Sequence, residues 1–177
     1  AVAASMVKSA IDSAEATGIL AGKLGITTEA LSKLQYAAKL SDVSQASLET
    51  GMKKLARTLT DAASGSAAAT KAFDALGLSA EEIINLPADE QLGRIADALN
   101  AVENASQRAA LAQKIFGRGG VDMLPLLAEG QKGIAALSAE AERMGVVISE
   151  DMAKKSQQFN DSVDRLKAAV KKLDRKP

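Results

Sequence analysis

Three pairs of adjacent carboxylates are the residues of this 177-residue chain whose types and spacing could carry acid–base chemistry. They are Glu81-Glu82, Asp89-Glu90 and Glu150-Asp151. A glycosidase uses two carboxyl groups in this way, one as acid and one as base or nucleophile. Each pair, however, falls where a helix is expected to begin, and acids in the first turn stabilise the positive end of the helix dipole. This placement favours a structural role for all three pairs.

The chain contains neither histidine nor cysteine, which removes most other catalytic chemistry. Ser-His-Asp and Cys-His arrangements need a histidine base, and the common zinc sites need Cys or His ligands. Without cysteine, disulfides are excluded as well. We therefore predict no enzymatic activity, no catalytic or cofactor-binding residues, no cofactor, no metal site and no small-molecule substrate.

Two glycine-rich stretches superficially match ligand-binding motifs. Gly18-Ile19-Leu20-Ala21-Gly22-Lys23 resembles a phosphate loop, but it is one residue short between the glycines and Leu24 replaces the required Ser or Thr. Gly18 and Gly22 better suit a close helix–helix contact through a face of small residues. Gly117-Arg118-Gly119-Gly120 has the spacing of the GxxG loop of a KH domain, a module that needs a β-sheet. A tight turn between two helices is the favoured interpretation.

Basic residues gather near the C-terminus, at Lys167, Lys171, Lys172, Arg175 and Lys176. A nucleic-acid or membrane patch is one interpretation, and a helix end that complements the helix dipole is the favoured one. Over the whole chain 22 basic and 22 acidic residues balance, and aromatic residues make up only 2%, too few for base stacking. No apolar run approaches the roughly 18 residues of a membrane span. We therefore predict no specific nucleic acid and no membrane span.

Apolar residues make up 47% of the chain and recur with a helical period. Leu48, Met52, Leu55 and Leu59 follow steps of four, three and four, which places them on one helix face. Helices are predicted from about Val2 to Leu24, from Ala67 to Leu76 and up to Phe116. Predicted caps lie at Thr27, Ser44, Ser79 with Glu82, and Asn104 with Gln107. Predicted breaks lie at Ser64–Ser66, Gly77, Pro87, Gly130, Gly133 and Gly145.

The last segment, from Ser149 to Lys172 or beyond, is the longest uninterrupted helical pattern. It carries a heptad seam, defined as the residues that follow alternating steps of four and three. This seam comprises Met152, Ser156, Phe159, Val163, Leu166, Val170 and Leu173. The seam is expected either to pack on the preceding helices or to project and pair with a copy of itself.

The predicted fold class is all-α, a multi-helix orthogonal or bundle-like module with a longer C-terminal helix that carries the seam. We predict a compact helical module over residues 1–145. Residues 146–177 form the long C-terminal helix, packed on the module or projecting. The chain starts without an initiator Met, which favours a fragment of a longer protein. Breaks about every 15 to 20 residues favour packed helices, because isolated helices this short are marginal in water.

Several segments between Phe73 and about Val163, and one more upstream, share a recognisable order and spacing. They are Thr28–Ala38, Ala72–Ser79, Ile95–Leu99, Arg108–Arg118, Met123–Gly130, Gly145–Ser149 and Phe159–Asp161. In this order and spacing they resemble the tape-measure proteins of long-tailed phages and prophages, although no single segment is specific.

The resemblance implies an internal fragment of a long, mostly helical protein that sits in the phage tail tube and sets tail length. Its expected partners are the tail assembly chaperones and the tail tube and tip proteins. Its expected locations are the cytoplasm of the bacterial host during assembly and the lumen of the virion tail. Self-association through the C-terminal helix is a further expectation. The alternative is a generic helical interaction domain or coiled-coil adaptor.

Overall fold

The computed structural model describes residues 2–173, with side chains for residues 3–172, and consists of helices joined by short turns. No strand occurs in this range, which confirms the all-α prediction. The orthogonal or bundle-like arrangement stays a prediction. The helices are α1 (Val2–Leu24), α2 (Thr28–Leu40), α3 (Gln45–Ala63), α4 (Ala67–Asp74), α5 (Ala80–Ile83), α6 (Ala88–Asn100), α7 (Ala105–Phe116), α8 (Leu124–Ala128), α9 (Gly130–Arg143) and α10 (Glu150–Leu173), with a 3-10 turn at Gly117–Gly120.

Polar side chains begin several helices where the sequence predicts them. The Ser44 hydroxyl accepts a hydrogen bond from the Ser47 backbone N–H at 3.0 Å, at the start of α3. At the start of α7, Asn104 Oδ1 accepts from the Gln107 N–H at 2.9 Å. Such contacts satisfy backbone donors that have no partner within the helix. These two predicted caps are confirmed, and they mark where α3 and α7 begin.

Glycine ends some helices, but one predicted break is wrong. Gly77 and Gly145 adopt positive φ angles of 68° and 66° at the ends of their segments, as predicted. Gly133, in contrast, lies inside α9 and does not interrupt it. A Cβ atom at Gly133 would lie 2.8 Å from Glu129 Cβ. The glycine therefore makes room for the Glu129 side chain beside the first turn of α9.

The chain divides into two units. Unit 1 contains the residues up to Glu29 together with those from Ile148 onward, and unit 2 contains Ala30–Val147. The predicted division into a compact module over residues 1–145 and a C-terminal helix over residues 146–177 stays a prediction.

Unit 1 is built on the contact between α1 and α10. Gly18 meets Ala153 and Asp12 meets Asn160, so the two helices run antiparallel. The contact face of α1 is narrow: Ala14 and Ala21 are buried, and a Cβ atom at Gly18 would lie 2.6 Å from Ala153 Cβ. This closeness confirms the predicted small-residue contact at Gly18. Gly22 lies away from it, because a Cβ atom there would have no neighbour within 4 Å.

We expect Gly18→Ala and Gly22→Ala to change stability in opposite directions. Gly18→Ala forces α1 away from Ala153 and should destabilise unit 1 by about 1–3 kcal/mol. Gly22→Ala meets no atom and should stabilise α1 by up to about 1 kcal/mol through its higher helix propensity. Urea unfolding monitored by circular dichroism measures both changes. Equal effects of the two substitutions would contradict the close contact at Gly18.

Unit 2 has a core of aliphatic side chains with two buried phenylalanines. Helix α3 contacts α4, α5, α7 and the 3-10 turn, and α6 contacts α7, α8 and α9. Burying aliphatic and aromatic side chains in this way contributes roughly 1.5–3 kcal/mol per residue. The side chains with at most 1% exposure include Leu48, Leu55, Leu59, Phe73, Ile83, Leu92, Ile95, Leu99, Ile115 and Phe116.

Three buried glycines allow close packing within unit 2. A Cβ atom at Gly51 would lie 2.0 Å from Met123 Sδ, and one at Gly93 would lie 3.0 Å from Gln131 Cα. At Gly120 it would lie 2.4 Å from the backbone oxygen of Ala112. The obstacle at Gly51 is a flexible side chain, whereas those at Gly93 and Gly120 include backbone atoms, which lie closer at Gly120 than at Gly93. The 3-10 turn therefore packs on α7 only because residue 120 is glycine.

Polar contacts between side chains also connect helices of unit 2. The Tyr36 hydroxyl donates to Glu140 Oε1 at 2.9 Å, and this bond raises the pKa of Tyr36 above its ordinary value of 10.0. Asp97 Oδ1 accepts from the Gln131 N–H at 2.8 Å and thereby caps the start of α9 from α6. These bonds connect α2 with α9 and α6 with α9, and so add directional contacts to a mainly aliphatic core.

We expect Gly120→Ala to destabilise unit 2 by about 3 kcal/mol, because the added methyl group meets a backbone carbonyl that cannot rotate away. Gly119→Ala is the matched control, since its Cβ atom would lie 3.7 Å from the nearest atom, the Ser47 oxygen. The control should stay within about 1 kcal/mol of the wild type. Chemical denaturation of the two variants tests this, and a tolerated Gly120→Ala would contradict the contact with α7.

Candidate functional site

The three carboxylate pairs lie in the first turns of helices, as the sequence predicts. Glu81-Glu82 begin α5, Asp89-Glu90 begin α6, and Glu150-Asp151 begin α10. All of these side chains are exposed except that of Asp89, which is half-buried. Within residues 2–173 no three potential ligands among His, Cys, Asp and Glu lie close enough together to hold a metal ion.

The two glycine motifs take the structural forms that the sequence favours. Gly18–Lys23 lies within the continuous helix α1 and offers no loop of free backbone N–H groups. Gly117–Gly120 forms the 3-10 turn after α7, where Gly117 adopts a φ of 74°. Of the C-terminal basic residues, Lys167, Lys171 and Lys172 lie exposed along α10. Arg175 and Lys176 lie outside the described residues.

The most distinctive surface in unit 1 is a row of exposed apolar side chains on α10. We call Met152, Phe159, Leu166 and Val170 the apolar row; their exposed fractions are 47%, 49%, 66% and 48%. All four belong to the heptad seam. Ser156 is buried and Val163 is half-buried, whereas the side chain of Leu173 lies outside the described residues. The seam as a pairing surface stays a prediction, but most of its apolar members are accessible.

A shallow groove of about 400 Å³ runs beside the apolar row between α10 and α1. Ile11 of α1 lines it, together with Met152, Ser156 and Phe159 of α10. Asp151 and Lys155 lie at its edge and form an ion pair with each other at 2.7 Å. Its apolar lining with a charged edge is typical of a surface that receives the side chains of another helix.

Asn160, which follows Phe159 on α10, makes polar contacts to α1. Asn160 Nδ2 donates to Asp12 Oδ1 at 3.0 Å and also contacts the Glu15 carboxylate. Lys8 contacts the same Asp12 oxygen at 2.7 Å. The hydrogen bonds from Lys8 and Asn160 lower the pKa of Asp12 below its ordinary value of 3.8. Asn160 thus joins α10 to two acidic residues of α1, a contact that the sequence analysis did not identify.

No helix within the described part of the chain is long and apolar enough to cross a membrane. Comparison of the chain with models of protein families, with curated proteins and with solved structures found no match. The helices of residues 2–173 define the class of this protein as all-α. Its most accessible candidate site is the apolar row and the groove beside it.

We expect Asp12→Asn to weaken unit 1 at neutral pH but not at low pH. The lowered pKa means that the folded state favours the charged carboxylate. The contribution of the charged Asp12 carboxylate to folding stability is therefore present above pH 3.8. It is lost as the pH falls through the lowered pKa. Thermal unfolding of wild type and variant at pH 7 and at about pH 2 measures the difference. A loss of thermal stability of the same size at both pH values would show that the charge of Asp12 does not stabilise unit 1.

Proposed function

We propose that this chain is a structural and assembly module of a phage tail tape-measure protein, without catalytic activity. The observation that carries the proposal is the order and spacing of the segments between Phe73 and about Val163 that resemble this family. The proposed partners are the tail assembly chaperones and the tail tube and tip proteins. The proposed locations are the host cytoplasm during assembly and the tail lumen of the virion.

The positions of the resembling segments support the proposal. Phe73 in the segment Ala72–Ser79 is fully buried, and Ile115 and Phe116 in the segment Arg108–Arg118 are fully buried as well. Gly77 and Gly117 in the same segments adopt positive φ angles of 68° and 74°. Core residues and turn glycines are the positions that specify a fold. The resembling segments Ala72–Ser79 and Arg108–Arg118 therefore include core residues and turn glycines of unit 2.

A second candidate function is a helical interaction domain or coiled-coil adaptor that is unrelated to phage tails. The apolar row favours it, because exposed apolar patches commonly mark contacts with other proteins. The two candidates share the same surface and differ in the partner. They also differ in their effect on tail length, since only a tape-measure module changes the length of an assembled tail.

We expect an in-frame deletion of these 177 residues from the parent protein to shorten the phage tail, and a tandem duplication to lengthen it. If the segment were extended as continuous helix in the tube, the change would reach about 265 Å, and packed helices would give a smaller change. Electron microscopy of purified tails measures the length. Unchanged tail length in both phage variants would reject the tape-measure assignment and favour the adaptor.

A further inference from the structure

The two long helices of unit 1 bury only a few small side chains. The buried residues are Ala14, Thr17 and Ala21 on α1, and Ala153 and Ser156 among residues 150–172 of α10. The stabilisation gained by burying a side chain grows with the apolar area that is removed from water. Unit 2, in contrast, buries entire leucine, isoleucine and phenylalanine side chains. Unit 1 therefore has the weaker core of the two.

The start of α1 and the end of α10 lie at the same end of this helix pair. Because the two helices run antiparallel, the residues before Asp12 and those after Asn160 continue in the same direction. Every side chain of residues 3–10 is exposed, and so is every side chain of residues 161–172 except the half-buried Val163. A pull on the two outer ends therefore acts on the contact between Asp12 and Asn160 first. It separates the remaining contacts one after another instead of all together.

Helix α10 also carries stabilising contacts of its own that do not involve α1. Lys154 pairs with Glu150 and Lys155 pairs with Asp151, each one turn apart within α10. Such pairs stabilise an isolated helix. Helices α1 and α10 have 23 and 24 residues, which exceeds the length at which isolated helices are marginal in water. The two helices can therefore separate without either of them having to unfold.

We infer that α1 and α10 separate while unit 2 stays folded, so that unit 1 is a connection that opens under load. Proteins open first where the least apolar surface is buried, at a lower free energy than global unfolding requires. In the closed state the outer ends of α1 and α10 lie side by side. Each helix is about 35 Å long, so that after opening these ends can move apart by up to about 70 Å. This opening depends only on contacts within unit 1 and is independent of the proposed tape-measure function.

Stretching single molecules with optical tweezers, through peptide tags at the two ends of the chain, tests the opening. Two steps are expected. In the first, at the lower force, α1 and α10 separate and release up to roughly 200 Å of chain. In the second, unit 2 unfolds and releases roughly 400 Å. A single step that releases the whole chain, or a release of unit 2 before unit 1, would overturn the inference.

Two glycine substitutions assign the steps to the units. Gly18→Ala disturbs the contact with Ala153 and should lower the force of the first step alone. Gly120→Ala disturbs the contact with the backbone of α7 and should lower the force of the second step alone. If either substitution changed both steps by the same factor, the units would open together, which contradicts the inference.

Hydrogen exchange measured by mass spectrometry tests the same opening without force. The backbone amides of residues 14–21 should exchange at least about 10-fold faster than those of α3 and α6. Because the chain has no cysteine of its own, Gly18→Cys combined with Ala153→Cys can form a single disulfide across the contact. Oxidation should slow exchange in residues 14–21 at least about 10-fold and leave α3 and α6 within about twofold. The reduced form of the same variant is the matched control, and equal exchange in both forms would overturn the inference.

Discussion

Close contact between helices at small residues is the constraint on which both units depend. A chain with only 2% aromatic residues has few large side chains with which to fill wide gaps between helices. Instead, Gly18 lets α1 approach Ala153, Gly93 lets α6 approach α9, and Gly120 lets the 3-10 turn lie against the backbone of α7. Short distances between backbones allow small aliphatic side chains to reach normal packing density. The glycines therefore contribute to core packing by letting the helices come close together, just as the leucines contribute by filling the space between them.

This way of packing has a consequence for the surface of α10. A narrow face of small residues on α1 covers only a narrow strip of α10, around Ala153, Ser156 and Asn160. The apolar row lies just outside this strip, and its four side chains remain between 47% and 66% exposed. A bulkier face on α1 would cover more of the seam but would hold the helices further apart. The accessibility of the row thus follows from the same small residues that join the two helices.

The proposed function is consistent with the chemistry of the described residues. The carboxylates that could have served as acid and base lie in the first turns of α5, α6 and α10, where they interact favourably with the helix dipoles. Their side chains are mostly exposed, and those of α10 pair with lysines one turn later. The apolar row, in contrast, has no local partner that explains it. The proposed assembly function would use such a surface, since exposed apolar patches commonly mark contacts with other proteins.

The helix boundaries were predictable from the sequence because they depend on neighbours within a few residues. Ser44 and Asn104 cap the helices that follow them, and Gly77 and Gly145 adopt the positive φ angles expected after a helix. The exception, Gly133, lies inside α9, because a glycine specifies only conformational freedom. Whether that freedom breaks a helix depends on what surrounds it, here the side chain of Glu129.

Tertiary structure decided which helices meet and which seam residues stay accessible. The alternating steps of four and three determined that Met152, Phe159, Leu166 and Val170 share one side of α10. Only the structure shows that α1 packs about 100° away from that side and leaves it uncovered. Asn160 gave no sign in the sequence of its bond to Asp12, 148 residues earlier. Helical period and capping act along the chain and are visible in the sequence. Contacts between distant segments depend on the joint packing of all the helices, which no local pattern encodes.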